Sequence, residues 1–296
     1  MELADLVVFK AVVEEGGIVR AARKLNRVQS SVTMRVKQLE AAVGAQLFFR
    51  DRQRLFLSPP GEQLLAYADK LLRLAEEAKS AVSGAPPSGV LRLGALESTT
   101  ASRLPDVLAR YHRAYPQVRV ELRTGTNDAL TAAVAERRLD AAFVAEIPAT
   151  RDLGALPLFP ERLIVISARD HRPIQRPHDV DGDSVIAFPN GCAYRRVLQR
   201  WLGDARCASV RVLELGSYHA IVACVASGTG IALVPESVLG TVRHAHVAKH
   251  ALPKVYANVT TPLVWRSGEQ TPAVAALRQM LPMSPATTRR AARRAA

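Results

Sequence analysis

The chain has 296 residues, of which 48% are hydrophobic, and a formal net charge of +13. It is longer than one compact domain usually is, so we expect two or three units with sizeable cores. No apolar run reaches the ~18 residues of a membrane span, and the acidic start of the chain does not resemble a secretion signal. We therefore expect a cytoplasmic protein without membrane contacts, whose three cysteines (Cys192, Cys207 and Cys224) are reduced thiols.

The first 43 residues predict three short helices. The first covers Leu3–Glu15 and ends at a glycine pair. Ile18–Leu25 and Gln29–Val43 follow, joined by the tight turn Asn26–Val28. The spacing of apolar residues predicts the buried face of the third helix: Val32, Val36, Leu39 and Val43.

Positive charge is concentrated around the second and third helices. Between Arg20 and Arg54 there are nine Lys or Arg and two acidic residues. Two helices joined by a tight turn, the second polar and basic on its outer face, predict a helix-turn-helix that enters the major groove of double-stranded DNA. The alternative is a basic solvent-exposed face on an ordinary three-helix core. The candidate DNA-binding residues of the third helix are Gln29, Ser30, Ser31, Thr33, Met34, Arg35, Lys37 and Gln38.

Leu47–Leu57 alternates basic and apolar residues and predicts a wing of two strands joined by a turn. Arg50, Arg52 and Arg54 recur at a period of two. We expect these arginines to follow the DNA backbone or to enter the minor groove.

Pro60–Ser83 predicts a long helix with a heptad seam at Leu64, Ala68, Leu71, Ala75, Ala78 and Val82. Such a narrow apolar seam favours a partner helix, and a second copy of the chain is the simplest partner. The alternative is packing on the same chain. The sequence thus predicts a DNA-binding domain (1–58), a dimerisation helix (59–83) and a Pro- and Gly-containing hinge (84–89).

Strands and helices alternate from residue 90 to about residue 285, which predicts a parallel sheet with helices on both faces. This length favours two subdomains around a cleft, followed by a basic, disordered tail at 286–296. The predicted strands are Val90–Leu96, Val118–Thr124, Ala141–Val144, Leu163–Ser167, Val185–Phe188, Val210–Leu213, Ile231–Val234 and Leu263–Trp265. The predicted helices are Thr99–Ala114, Asp128–Arg138, Tyr194–Leu202, Ser217–Ser227, Pro235–Leu239 and Thr271–Leu281.

The segment AARKLNRVQSSVTMRVKQLEAAVGAQLFFRDRQRLFLSPPGE resembles the winged helix-turn-helix of LysR-type transcriptional regulators. Three positions depart from the family pattern: Val28 replaces a capping Ser, Ser30 replaces Pro, and Met34 replaces a polar or basic residue. We expect Ser30 or Ser31 to cap the helix instead. The positions that match the pattern are Ala21, Ala22, Leu25, Gln29, Val32, Leu39, Glu40, Gly44, Leu47, Phe48, Arg50 and Gly61.

The remainder resembles the effector-binding domain of that family, with two subdomains similar to type II periplasmic binding proteins. Subdomain I would comprise about 90–160 and 268–284, and subdomain II about 161–267. The resemblance implies a regulator that forms dimers or tetramers, responds to a small-molecule effector and acts with RNA polymerase as a further partner. A looser similarity of several segments, CAYRR and PLVWRSG among them, to a regulator of putrescine utilisation suggests amine or amino-acid catabolism.

Polar residues follow several predicted strands at the edge where open α/β sheets bind ligands. Their hydroxyl groups and the free N–H groups at helix starts suit a carboxylate effector. Glu97, Glu146 and Glu214 would instead suit an amine, and the alternative role for each Ser or Thr is a helix cap. The candidate effector-binding residues are Ser98, Thr99, Thr100, Thr124, Thr126, Cys192, Tyr194, Arg195, Ser217, Tyr218 and His219.

Two other classes of protein remain as alternatives. A solute-binding protein fused to a basic module would require export. An enzyme on the α/β domain would require a nucleophile with a base or a metal set, and the sequence has no GxSxG or Walker A motif. His244, His246 and His250 lack an accompanying Cys or acidic cluster, so we predict neither a metal site nor a cofactor.

Overall fold

The computed structural model describes residues 1–51, 54–83, 86–147, 152–203, 211–242, 246–268 and 271–281. The chain divides into two compact units, Met1–Ala85 and Pro86–Ala296. The hinge residues 84–85, the wing residues 52–53 and the basic tail lie outside the described residues, as does Cys207.

The first unit begins with three helices: α1 (Leu3–Glu14), α2 (Ile18–Lys24) and α3 (Gln29–Val43). At the end of α2, Asn26 adopts the left-handed conformation with φ of 50°, which asparagine tolerates better than most residues. The N–H of Arg27 then donates to the carbonyl of Ala22 at 2.9 Å. This αL helix ending produces the tight turn that the sequence predicts between α2 and α3.

The wing consists of β1 (Phe48–Asp51) and β2 (Arg54–Leu57), which pair antiparallel. Glu40 connects α3 to this hairpin, because its Oε1 accepts the N–H groups of Leu47 at 2.8 Å and Phe48 at 3.3 Å. The long helix α4 (Pro59–Ser83) follows the wing directly.

The predicted heptad seam of α4 divides between two environments. Leu64 and Ala68 pack into the core of the first unit with residues of α1 and α3. Tyr67, Leu71 and Leu74 are exposed instead. The exposed apolar stripe of α4 is therefore Tyr67, Leu71, Leu74, Ala78 and Val82, which differs from the predicted seam because α1 covers the N-terminal part of that seam.

The second unit is α/β, as predicted, and no helix within the described ranges is long and apolar enough to cross a bilayer. Its strands are β3 (Gly89–Ala95), β4 (Val118–Thr124), β5 (Ala141–Phe143), β6 (Leu153–Ala168), β7 (Val185–Ala187), β8 (Val212–Glu214), β9 (Ile231–Pro235), β10 (Val247–Ala251) and β11 (Asn258–Arg266). Its helices are α5 (Glu97–Ser102), α6 (Leu104–Ala114), α7 (Asn127–Ala135), α8 (Ala193–Leu202), α9 (Tyr218–Ala226), α10 (Glu236–Leu239), α11 (Lys254–Ala257) and α12 (Pro272–Met280), with a 3₁₀ turn at Pro177–Val180.

The sheet order is β4-β3-β5-β11-β6-β9-β7-β8, and β10 also pairs with β6. The sheet is mixed, so the prediction of a parallel sheet was only partly correct. The pairs β3–β4, β3–β5, β7–β8 and β7–β9 are parallel. β11 runs antiparallel to β5 and β6, and β6 runs antiparallel to β9 and β10.

The 16-residue strand β6 joins the two halves of the second unit. Its first part pairs with β11, while Leu163–Ile166 pair with β9. Since β11 also pairs with β5, it belongs to the first half. This differs from the expected boundary, which assigned residues up to 267 to subdomain II.

The predicted helix Thr99–Ala114 is interrupted at Arg103, which separates α5 from α6. Pro105 explains the break, because a proline ring clashes with the carbonyl four residues earlier in a continuous helix. The interruption leaves Glu97–Ser102 as a short segment directly after β3, facing the second half of the unit.

Candidate nucleic-acid interface and ligand cleft

The outer face of α3 carries most of the side chains that the sequence predicts for DNA. Val32, Val36 and Leu39 are buried on the opposite face. A shallow surface depression follows the outer face over about three turns. Its lining is Gln29, Ser30, Thr33, Met34, Lys37, Gln38 and Ala41, which includes six of the eight residues predicted on this helix.

Arg35 points away from that face. Its guanidinium lies 2.8 Å from the Oδ1 of Asp5 in α1, and Asp5 also accepts the N–H of Glu2 at 3.0 Å. Ser31 is likewise half-buried beside the helix start. The structure therefore separates Arg35 from the outward group and uses it to hold α3 against α1.

The start of α3 differs from the expectation that Ser30 or Ser31 caps it. Val28 is the N-cap residue, with no side-chain cap hydrogen bond, and its carbonyl accepts the N–H groups of Ser31 and Val32 at 3.1 and 3.3 Å. Both serines already lie inside the helix, where their side chains cannot act as an N-cap. At the other end, Val43 is 37% exposed rather than buried.

The wing presents an aromatic pair that sequence reasoning missed as a surface feature. Phe49 and Phe56 face each other across the hairpin with ring centroids 5.6 Å apart, and both are exposed. Arg50 lies in β1 and Arg54 in β2, while Arg52 falls outside the described residues.

A cluster of polar groups lies where the two halves of the second unit meet, a region called the cleft below. Glu97, at the start of α5, accepts the N–H of Tyr218 at the start of α9 at 3.4 Å and so joins the two halves. Ser98, Cys192, Tyr194 and Tyr218 are buried beside it. The phenols of Tyr194 and Tyr218 both face the hydroxyl of Ser98, so the fold brings together four of the predicted effector-binding residues.

Burial dominates the electrostatics of this cluster. It raises the pKa of the Glu97 carboxyl above its ordinary value, against the opposing effects of the Tyr218 N–H and of His219. It also raises the pKa of Tyr194, Tyr218 and Cys192. The thiol and both phenols are therefore neutral near pH 7 and can only offer hydrogen bonds.

The remaining predicted effector residues have mostly local roles. Thr126 caps α7 through Ala129 N–H, Thr100 donates to the Leu96 carbonyl at 3.0 Å, and Arg195 forms an ion pair with Glu214. Of these, the cap at Thr126 is the role that the sequence leaves open as the alternative for each Ser or Thr. The others in this group have these positions: Thr99 is buried in α5, Thr124 is exposed at the end of β4, Ser217 is the N-cap residue of α9, and His219 is exposed.

Sequence reasoning missed an ion bridge across the same cleft. Arg196 in α8 lies 2.9 Å from Asp128 of α7 and 2.9 Å from Glu146 beyond β5. These carboxylates raise the pKa of Arg196, against the effect of partial burial. Its position directly after Arg195, a candidate effector-binding residue, was the available signal.

Among the described residues, no group of three or more His, Cys, Asp or Glu side chains is placed to hold a metal ion. His250 is engaged by its neighbours: its Nδ1 accepts the N–H of Ile174 at 3.1 Å, and its Nε2 lies 2.8 Å from the Ser167 hydroxyl. His244 lies outside the described residues.

Known protein families match both units of the chain. Residues 3–62 match the family described as "Bacterial regulatory helix-turn-helix protein, lysR family", and residues 84–284 match the "LysR substrate binding domain". The chain is 33% identical over 279 residues to the HTH-type transcriptional regulator GltR of Bacillus subtilis, covering 93% of this chain and 94% of that protein. It is 38% identical over 240 residues to the uncharacterized regulator YusT of the same organism, covering 81% and 80%.

Solved structures show the same fold. A full-length OxyR variant from Pseudomonas aeruginosa superposes with a TM-score of 0.72 at 22% identity, covering 95% of this chain and 94% of that chain. Full-length CbnR in complex with its target DNA gives a TM-score of 0.66 at 21% identity, covering 95% and 99%. With a helix-turn-helix at one end and an effector-binding domain at the other, the chain belongs to the LysR family of DNA-binding transcriptional regulators.

Proposed function

We propose that the outer face of α3 reads operator DNA in the major groove. The observation that carries this proposal is the common direction of its six polar or flexible side chains: Gln29, Ser30, Thr33, Met34, Lys37 and Gln38. Gln and Lys can bond base edges, and Met34 can contact a thymine methyl. Ser31 is placed at the margin of this interface, and Arg35 supports it from behind.

The wing would supply phosphate contacts. Arg50, Arg52 and Arg54 lie on or between two short strands, and arginines on a hairpin can follow a DNA backbone without reading its sequence. The exposed Phe49 and Phe56 pair would pack against deoxyribose at the same place. This division makes α3 the source of specificity and the wing a source of affinity.

Two DNA-binding units are needed for a paired operator, and α4 provides a way to join them. Its exposed stripe Tyr67, Leu71, Leu74 and Ala78 has the 4-3-4 spacing of a coiled-coil seam. A second copy of the chain would cover this stripe and give the two-fold symmetry of paired half-sites. We propose a cytoplasmic dimer or tetramer that acts with RNA polymerase.

The cleft at Glu97, Ser98, Tyr194 and Tyr218 would bind the effector. Its two walls belong to different halves of the second unit, so a ligand that contacts both can change the angle between them. Such a change would alter half-site spacing or DNA bending. The similarity of several segments to a putrescine-utilisation regulator supports a role in amine or amino-acid catabolism, with a carboxylate or an amine as effector.

Genomic footprinting of the bound sites, followed by fluorescence anisotropy on one of them, tests the DNA-binding proposal. Arg50→Ala in the wing should reduce affinity across sequences and lower the salt slope by about one, whereas Gln38→Ala in α3 should relax base preference at one position. Arg110→Ala, an exposed change in α6, is the matched control for loss of charge. A wild-type affinity that does not depend on salt would contradict the interface.

A further inference from the structure

Glu97 has one carboxylate oxygen in use and one without a partner. Its Oε1 accepts the N–H of Tyr218, while its Oε2 is buried with no hydrogen-bond partner within the described part of the chain. A buried acceptor left unpaired costs about 1 to 3 kcal/mol, and more when it is charged. The unpaired oxygen therefore points to a donor that joins the cleft from outside the protein.

The phenol of Tyr194 provides a second unpaired group at the same place. Tyr194 is 4% exposed, and its hydroxyl has no partner of hydrogen-bond geometry among the residues that the structure describes, although the hydroxyls of Ser98 and Thr261 face it. Phenolic oxygens accept as well as donate. Glu97 and Tyr194 both lie beside Tyr218, so each presents an unpaired acceptor next to the same ring.

Three arginines beside this cluster already pair with carboxylates. Arg103 pairs with Glu161, Arg195 pairs with Glu214, and Arg196 pairs with both Asp128 and Glu146. The N-terminus of α9, which could receive an anionic ligand, already holds the carboxylate of Glu97. His219 faces Glu97 but is exposed, so the charge that remains inside the cleft is negative.

Aromatic rings lie beside the carboxylate of Glu97. The ring of Tyr218 packs against Phe188 with centroids 4.6 Å apart, and Tyr194 lies within the same buried cluster. Faces of aromatic rings attract cations, and the attraction is larger where water is excluded. A carboxylate with adjacent rings suits an ammonium group and disfavours a second carboxylate.

We propose that the effector carries a primary ammonium group, which Glu97 Oε2 and the Tyr194 hydroxyl receive between the two halves of the second unit. This inference rests on the proposed effector role of the cleft and specifies its charge. An ammonium has three N–H donors, of which two would meet these acceptors while the third meets water or the Ser98 hydroxyl. A carboxylate in the same position would lie against Glu97.

The test compares three probes of similar size on the full-length protein by isothermal titration calorimetry: n-butylamine, 1-butanol and butyrate. Butylamine should bind at least about tenfold more tightly than the other two. Glu97→Gln should remove that preference, because the amide can still accept the Tyr218 N–H but carries no charge. Tyr194→Phe should weaken butylamine binding by less than Glu97→Gln does.

Glu136→Gln, an exposed carboxylate paired with Arg138 at the end of α7, is the matched control and should leave the preference unchanged. A preference for butyrate, equal binding of all three probes, absence of butylamine binding, or a butylamine preference that survives Glu97→Gln would overturn the inference. Thermal unfolding of each variant separates loss of binding from loss of fold.

The same preparations separate this inference from the proposed DNA-binding function. Salt-dependent, sequence-specific DNA binding without selectivity for butylamine overturns the ammonium assignment alone. Selectivity for butylamine that depends on Glu97, in a protein without specific DNA binding, overturns the interface on α3 and leaves the assignment of the cleft standing.

Discussion

The guanidinium of Arg35 lies 2.8 Å from the carboxylate of Asp5, joining α3, the proposed DNA-reading helix, to the first helix of the chain. Asp5 is 8% exposed, and its other oxygen accepts the N–H of Glu2 at 3.0 Å. A half-buried, hydrogen-bonded ion pair of this kind resists sliding of one helix on the other. We therefore expect Arg35 to position the proposed reading surface rather than to contact DNA.

Arg35→Ala should destabilise the first unit by about 1 to 3 kcal/mol, because the carboxylate of Asp5 loses its charged partner. DNA affinity should fall by a similar factor for all sequences, since the outward side chains of α3 remain in place. Urea denaturation and anisotropy on a set of single-base operator variants would measure the two effects.

A double-mutant cycle with Asp5→Asn provides the control for that prediction. The effects of the two changes on the free energy of unfolding should be non-additive by about 0.5 to 3 kcal/mol. Lys37→Ala, on the exposed side of the same helix, should leave stability nearly unchanged. An altered base preference in Arg35→Ala would mean that Arg35 contacts a base edge after all.

The stripe on α4 should control self-association. Leu71→Glu combined with Leu74→Glu places two carboxylates on an apolar seam whose residues are exposed in the single chain. We expect monomers in sedimentation equilibrium and weaker binding to paired half-sites, with thermal stability of the first unit retained because Leu64 and Ala68 still pack on α1. Ala66→Glu, at an exposed position off the stripe, is the control and should remain oligomeric. An unchanged oligomer mass in the variant with both Leu71 and Leu74 replaced would show that the stripe is not the self-association surface.

Arg196 should restrain opening of the cleft. Its partners Asp128 and Glu146 are 59% and 44% exposed, so the ion bridge contributes little to global stability. Arg196→Gln should change the free energy of unfolding by less than about 1 kcal/mol but increase amide hydrogen exchange at the starts of α7 and α8. Arg200→Gln, an exposed change on the same helix, should not, and equal exchange in both variants would contradict a restraining role.

The elements that the sequence predicts well are those set by local rules. The tight turn Asn26–Val28, the buried Val32, Val36 and Leu39 of α3 and the start of α9 follow from spacing and from residues with special backbone preferences. The sheet was predicted less well, because apolar runs such as Ala141–Phe143 have the same pattern whether their neighbour is parallel or antiparallel. Only the antiparallel pairing with β11 resolves that ambiguity.

The roles of several side chains could not be predicted from the sequence, because they depend on contacts between distant parts of the chain. Arg35 looks like its exposed neighbours in sequence, and its partner Asp5 lies 30 residues earlier. Glu97 was considered for an amine together with Glu146 and Glu214, but the sequence could not show that the latter two are paired with Arg196 and Arg195. Cap positions such as Thr126 were predicted as alternatives, because a hydroxyl before a helix has a local use whether or not a ligand is present.

His250 should make the second unit sensitive to mild acid. Burial and the nearby His171, whose own partner is Asp183, lower the pKa of His250 below its ordinary value of about 6.5. Its Nδ1 already accepts the Ile174 N–H, so a second proton would break that hydrogen bond. The unfolded chain thus binds the proton more readily, and stability that is complete above about pH 6.5 should decrease as the pH falls below it.

Thermal unfolding between pH 7.5 and 5, read by circular dichroism, should show a smaller loss of stability in His250→Gln than in the wild type. His219→Gln, at an exposed site, should follow the wild type. An identical pH dependence in all three proteins would exclude His250 as the origin of the effect.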